Sequence, residues 1–148
     1  MRPVLVGEAN PYGGNPGYAL WPEPAGCSGH RLCHKILQMD QREYLRAFDR
    51  VNLCHQDWTL RAARQGADEV FTRFDGPLVL LGARVCQAFR IKYDPFSQVH
   101  VYPSNPLGLS STRPAVILPH PSGLSRAWND PQSAVRAREL IKEVRGAV

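Results

Sequence analysis

Residues 115–123 read AVILPHPSG, an apolar run that leads into a loop with two prolines, and a helix start at Asp130 and Pro131 follows. The apolar run predicts a buried strand, and Asp followed by Pro is typical of the first turn of a helix. A strand, a loop and a helix in this order place the loop at the carboxyl edge of a sheet, where open α/β sheets bind ligands. Because prolines flank His120, we expect its imidazole to point in a fixed direction. The alternative is an ordinary turn whose His is merely exposed.

The rest of the chain alternates short apolar runs with segments of helical periodicity. The apolar runs predict further strands at residues 4–7, 51–54, 77–82 and 99–102. The periodic segments predict helices at residues 28–39, 41–47, 58–74, 83–89 and 130–144. Two of these helices have expected N-caps at Ser28 and Asp57. We therefore predict one α/β domain over residues 1–148, a three-layer α/β/α sandwich with a central, mainly parallel sheet of four to five strands.

The composition limits the class of protein. The chain is 43% hydrophobic and 21% charged, as in an ordinary globular domain. No apolar run approaches the roughly 20 residues of a membrane span, and we expect a cytoplasmic protein. The net charge of +5 is compatible with an anionic partner such as nucleic acid. Four cysteines form no Cys-x-x-Cys pair, so we expect free thiols and no metal site or iron–sulfur cluster; they are Cys27, Cys33, Cys54 and Cys86.

A second segment in which a strand leads into a loop lies near the N-terminus, where residues 4–14 read VLVGEANPYGG. Together with residues 118–126, LPHPSGLSR, it resembles the uracil-DNA glycosylase superfamily. Members of that superfamily pair a first loop of the Gly-x-Asp/Asn-Pro type with a late His-Pro-Ser or Asn-Pro-Ser loop. The late loop is most similar to the mismatch-specific uracil/thymine branch, where Asn often replaces the His.

The resemblance implies a monofunctional DNA glycosylase of base-excision repair. Such an enzyme flips uracil or a related damaged or mispaired base out of the DNA stack and hydrolyses its N-glycosidic bond. It also implies action as a monomer on single- or double-stranded DNA, with no metal and no other cofactor. We therefore expect DNA to be the partner of this protein, and no membrane.

The resemblance assigns catalytic roles to residues of both loops. It implies that His120 donates a hydrogen bond to the base as negative charge develops there. Asn10 matches the Asp or Asn that positions water, but an amide can only orient water, since it has no useful basic pKa. The alternative is that Asn10 only forms a turn. Relative to the Gly-x-Asn-Pro pattern, this chain has one extra residue between Gly7 and Asn10. If the alignment follows Gly7 instead, Glu8 becomes the acid, as in the Gly-Glu-x-Pro loops of the thermophilic branch.

Further residues are expected to contact the base. Asn52 lies near a strand end, where the superfamily often places an Asn that reads the uracil edge, since an amide both donates and accepts hydrogen bonds. The alternative is that Asn52 only caps the end of the strand. Ala9 belongs to the first loop and is expected to line the substrate site. Relatives place a Phe before a Gly-x-Arg segment to stack on the base, and this chain has no aromatic residue there. We expect one of three nearby aromatic residues to replace it: Tyr12, Tyr18 or Trp21.

The late loop is expected to contact DNA. Leu124 stands where relatives insert an apolar wedge into the base stack, although contact with the last helix is the alternative. Ser122 and Arg126 suit phosphate contacts, and Gly123 and Ser125 lie in the same loop.

Two other functions stay open. One is a nucleic-acid-binding protein that has the superfamily fold and little catalytic activity, which the missing acid at Asn10 and the missing Phe would explain. The other is an enzyme that acts on a modified base of the kind found in phage, or on a free nucleoside.

Overall fold

The computed structural model describes residues 1–10, 15–104 and 112–146. Its centre is a five-stranded sheet with the strand order β2-β1-β3-β5-β4. The first four strands in this order are parallel, and β4 pairs antiparallel with β5 at one edge. The strands are β1 (Val4–Ala9), β2 (Asp49–Cys54), β3 (Leu78–Leu81), β4 (Ser97–Val101) and β5 (Arg113–Leu118). The predicted mainly parallel sheet is confirmed.

Helices cover both faces of the sheet. They are α1, which begins as an α-helix over Ser28–His30 and continues as a π-helix over Arg31–Ile36, then α2 (Gln41–Ala47), α3 (Leu60–Arg73), α4 (Ala83–Ala88) and α5 (Pro131–Gly146). The buried residues form two clusters, one between the sheet and α3 and α4, the other between the sheet and α1, α2 and α5. Because side chains alternate along a strand, Val4 and Val6 of β1 belong to the first cluster and Leu5 to the second. This is the predicted three-layer sandwich.

Two helix starts differ from the sequence prediction. The N-cap of α1 is Cys27 rather than Ser28, and its sulfur accepts a hydrogen bond from the His30 N–H at 3.4 Å. The N-cap of α3 is Thr59 rather than Asp57, and its hydroxyl oxygen accepts from the Ala62 N–H at 3.2 Å. In each case the residue directly before the first helical turn is close enough to cap it.

Helix α1 also ends earlier than the predicted residue 39. Gln38 has a positive φ of 54°, a left-handed conformation that stops a helix. The Met39 N–H then donates back to the Cys33 carbonyl at 2.9 Å, which satisfies an acceptor near the helix end.

The segment between β1 and α1 is rich in Gly and Pro, and its described part, residues 15–27, packs against β2, α1 and α2. The Arg50 guanidinium donates to the Ala19 carbonyl at 2.8 Å, and the buried Tyr44 hydroxyl donates to the Leu20 carbonyl at 2.8 Å. Gly29 of α1 is buried beneath this segment, since a Cβ at Gly29 would lie 2.5 Å from the carbonyl carbon of Leu20. The passage is therefore fixed to the body of the domain from three sides.

All four cysteines are free, and three of them are buried. Burial raises the pKa of Cys33 to about 11 and that of Cys86 to about 12, so both are protonated thiols at neutral pH. No helix among the described residues is long and apolar enough to cross a membrane.

Candidate functional site

The parallel strands bring the two motif loops to one edge of the sheet. Strands β1, β2, β3 and β5 all point the same way, so the residues that follow their carboxyl ends share this edge. The late loop follows Leu118 of β5, which is in register with Leu81 of β3. The first loop begins later than predicted, because Glu8 and Ala9 are the last residues of β1, and Ala9 is in register with Cys54 of β2. The first loop and the late loop therefore lie on the side of the sheet where open α/β folds bind ligands.

His120 is held in one orientation. Its Nδ1 accepts a hydrogen bond from the Ser122 N–H at 3.1 Å, and its carbonyl oxygen accepts from the Trp128 Nε1–H at 3.0 Å. A ring nitrogen that accepts has no proton, so the proton of the neutral imidazole is on Nε2. The side chain is 32% exposed, and Nε2 faces the Glu8 carboxylate. His120 thus presents one N–H donor in a fixed direction, as the two prolines predicted.

Glu8 lies between His120 and Arg84, a residue that the sequence pattern did not indicate. The Glu8 Oε2 lies 3.7 Å from the His120 Nε2, and the Glu8 Oε1 lies 3.7 Å from an Arg84 guanidinium nitrogen. Arg84 also lies over the ring of Trp58, 5.8 Å from its centroid. Both distances to Glu8 exceed a direct hydrogen bond, which leaves the His120 Nε2–H accessible to an acceptor on a substrate.

A glycine makes this cluster possible. Gly82, the first residue after β3, has a φ of 102°, a conformation that L side chains rarely adopt. A Cβ at Gly82 would lie 3.3 Å from the Cβ of His120 and 3.6 Å from the Glu8 carboxylate. One signal could have pointed to Arg84: it follows the predicted strand at residues 77–82 by two positions and so falls at the carboxyl edge. Trp58 had no comparable signal.

Asn10 and Asn52 meet in a cleft whose lining does not include Glu8 or His120. Both line a narrow cleft together with His55. The Asn52 residue is in register with Gly7, and a Cβ at Gly7 would lie 2.5 Å from the Asn52 side-chain oxygen. Glycine at this position therefore leaves room for the Asn52 amide. The structure brings Glu8 to His120, and it brings Asn10 to Asn52; Ala9 lies between the two groups and is half-buried.

The expected aromatic residues pack beside β2. Tyr18 and Trp21 meet edge to face with ring centroids 5.1 Å apart, and the Arg50 guanidinium lies 5.2 Å from the Trp21 ring centroid. Leu20, which lies between them in sequence, is the residue that packs against Gly7: its side chain comes within 3.3 Å of a Cβ built there. Tyr12 lies outside the described residues.

The late loop exposes a large apolar side chain. Leu124 is 93% exposed, so the alternative that it packs against the last helix is wrong. The Ser125 N–H donates to the Ser122 carbonyl at 3.2 Å, and Arg126 is exposed. Gly123 lies beside α1, because a Cβ there would be 3.8 Å from the guanidinium carbon of Arg31.

A second contact fixes this loop to α1. The Arg31 Nε–H donates to the Pro121 carbonyl at 3.2 Å.

No group of three or more His, Cys, Asp or Glu side chains is placed to hold a metal ion within residues 1–10, 15–104 and 112–146. We find no significant match between this chain and any known protein family or any curated protein.

The environment of His120 predicts a pH dependence of stability. Burial lowers the pKa of His120 from 6.5; Glu8 opposes this change, and the Arg84 charge adds to it. The folded protein then binds a proton less tightly than the unfolded chain, so this residue makes the free energy of unfolding fall as the pH drops below 6.5 toward the folded pKa. We expect His120→Gln to remove this part of the dependence, in urea unfolding measured between about pH 5 and pH 8. A stability difference between the two proteins that is the same at every pH would contradict the assignment.

Proposed function

We propose that this protein is a DNA glycosylase that hydrolyses the N-glycosidic bond of uracil or a related damaged or mispaired base. The observation that carries the proposal is the pair of His120 and Glu8: an oriented N–H donor faces a carboxylate at the edge where the motif loops meet. Hydrolysis of such a bond requires a donor for the leaving base and an acceptor for a water proton. Both groups are present within one cluster.

His120 would stabilise the departing base. When the bond between C1′ and the base nitrogen breaks, the electron pair stays on the base and charge accumulates on its carbonyl oxygen. The Nε2–H would donate to that oxygen, and the interaction would strengthen as the charge grows. The hydrogen bond from Ser122 to Nδ1 supports this role, because it keeps the proton on Nε2.

Glu8 and Asn10 would act on the water. The water oxygen attacks C1′ of the sugar, and its proton passes to the Glu8 carboxylate, which a neutral amide could not accept. Asn10 would orient the same water, and Asn52, which shares its cleft, would hydrogen-bond the base edge. Ala9 would line the site between them, with Tyr18 or Trp21 beside the base and Tyr12 in the first loop.

The late loop would contact the DNA. Leu124 is exposed, and insertion into the gap left by a flipped base would bury its apolar side chain. The residues around it would contact phosphates: Ser122, Gly123, Ser125 and Arg126. We propose that the protein acts on DNA as a monomer, without a cofactor.

The test is base release from oligonucleotides that each contain one uracil, hypoxanthine, xanthine, hydroxymethyluracil or G-opposed thymine. We expect strand breaks after alkali at one or more of these bases. Glu8→Gln should lower the single-turnover rate by about 100- to 10,000-fold, because the water proton loses its acceptor. Asn10→Ala should lower it less.

Glu69→Gln is the matched control, since Glu69 is an exposed carboxylate on α3. It should leave the rate unchanged. A folded wild-type protein that binds DNA and releases no base would contradict the proposal and favour the binding protein instead. Release from a free nucleoside but not from DNA would favour the nucleoside enzyme.

A further inference from the structure

The carboxylate of Glu8 lies between a cation and the candidate proton donor. One oxygen faces Arg84 and the other faces the His120 Nε2, each at 3.7 Å. The Arg84 guanidinium also lies over the Trp58 ring, which restricts its position although the side chain is 60% exposed. The three groups come from three elements: Glu8 from β1, Arg84 from α4 and His120 from the loop after β5.

This arrangement creates an electrostatic problem for the proposed reaction. The leaving base carries negative charge on the oxygen that accepts from the His120 Nε2–H. The Glu8 carboxylate faces the same nitrogen, so the two negative groups would be close neighbours in a partly buried site. The negative charges of Glu8 and of the leaving base would repel each other more strongly than in water, because the local dielectric constant of a partly buried site is lower.

We propose that Arg84 offsets the charge of Glu8 while negative charge forms on the leaving base. This inference rests on the proposed function. Arg84 acts through Glu8, so it is a positioning residue: it fixes the Glu8 Oε1 while Oε2 faces the His120 Nε2, and it compensates the charge of the carboxylate. The Trp58 ring supports the guanidinium in this place.

The charged groups around His120 determine how the loss of Arg84 would change the pKa of His120. Glu8 faces the ring from β1, Arg84 reaches it from α4, and Arg31 of α1 contacts the neighbouring Pro121 carbonyl. Arg84 lowers the pKa of His120 and Glu8 raises it. Without Arg84 the carboxylate would act on the imidazole uncompensated, so the pKa of His120 would rise.

The experiment compares Arg84→Gln, Arg84→Lys and a control, Lys142→Gln, which removes one exposed positive charge on α5. Two quantities are measured: the single-turnover rate of base release at saturating protein, and the titration of His120 in the free protein by NMR, with the His120→Gln spectrum as the assignment. We expect Arg84→Gln to lower the rate by about tenfold or more and to raise the His120 midpoint. Arg84→Lys should keep both the rate and the His120 midpoint close to those of the wild type, because Lys keeps the charge. The control should change neither.

Two results would overturn the inference. One is an unchanged His120 midpoint in folded Arg84→Gln. The other is an unchanged rate at saturation with weaker DNA binding, which would make Arg84 a phosphate contact only. If the wild-type protein releases no base at all, the proposed function fails by itself, and the titration still decides whether Arg84 compensates Glu8 at His120.

Discussion

Replacing His120 by alanine is expected to lower the single-turnover rate of base release by about 100- to 1,000-fold, as for other fixed donors to a developing anion. The expectation follows from the oriented Nε2–H and from its position at the carboxyl edge of the sheet. The measurement is base release from the best oligonucleotide of the substrate panel, at saturating protein. Stability should change little, because the side chain is only partly buried.

His100→Ala is the matched control, since His100 is exposed on β4. It should leave both rate and stability near those of the wild type. A His120→Ala protein that unfolds like the wild type and releases base at the same rate would show that the imidazole has no part in the chemistry.

Replacing Gly29 by alanine is expected to lower the free energy of unfolding by about 2 kcal/mol or more, or to prevent folding. The added methyl group would meet the carbonyl groups of Leu20 and Trp21, and its contact with the Leu20 carbonyl carbon would be only 2.5 Å. These are backbone atoms, and hydrogen bonds from Tyr44 and Arg50 hold the segment in place. A small side-chain movement therefore could not remove the clash with the added methyl group. Urea unfolding measures the effect.

Gly146→Ala is the control for this substitution. Gly146 is also helical, but nothing lies within 4 Å of a Cβ built there. Alanine should stabilise that helix end by about 0.5 kcal/mol, through its better helix propensity. Equal effects of the two substitutions would mean that the segment after Tyr18 moves away from α1 easily.

The fold could be predicted from the sequence because its signals are local. Continuous apolar runs such as residues 77–82 predict strands that are buried on both faces, and their alternation with helical segments predicts a mainly parallel sheet. The helix starts at Cys27 and Thr59 were missed, since several neighbouring residues can cap a helix and only the local geometry decides which one does.

The edge of the sheet that carries the candidate site could be predicted, but the contacts within that site could not. That the two motif loops share one edge follows from the parallel strands alone. Which groups meet there depends on contacts between residues far apart in sequence. The meeting of Glu8 with Arg84 depends on how β1 and α4 lie beside each other, and no sequence pattern predicts that placement. For the same reason the packing of Trp21 on Arg50 could not be foreseen.

One short segment carries two of the proposed roles, and this would limit how the protein can change. The amide that fixes the imidazole of His120 belongs to Ser122, and the exposed Leu124 follows only two residues later. A substitution that reshapes this loop to suit a different DNA structure would also move the donor that orients the ring. In the proposed glycosylase, substrate preference and turnover would therefore be linked through this loop. Engineering substrate preference without a change in turnover would have to start from the first loop or from residues 15–27, which lie beside β2.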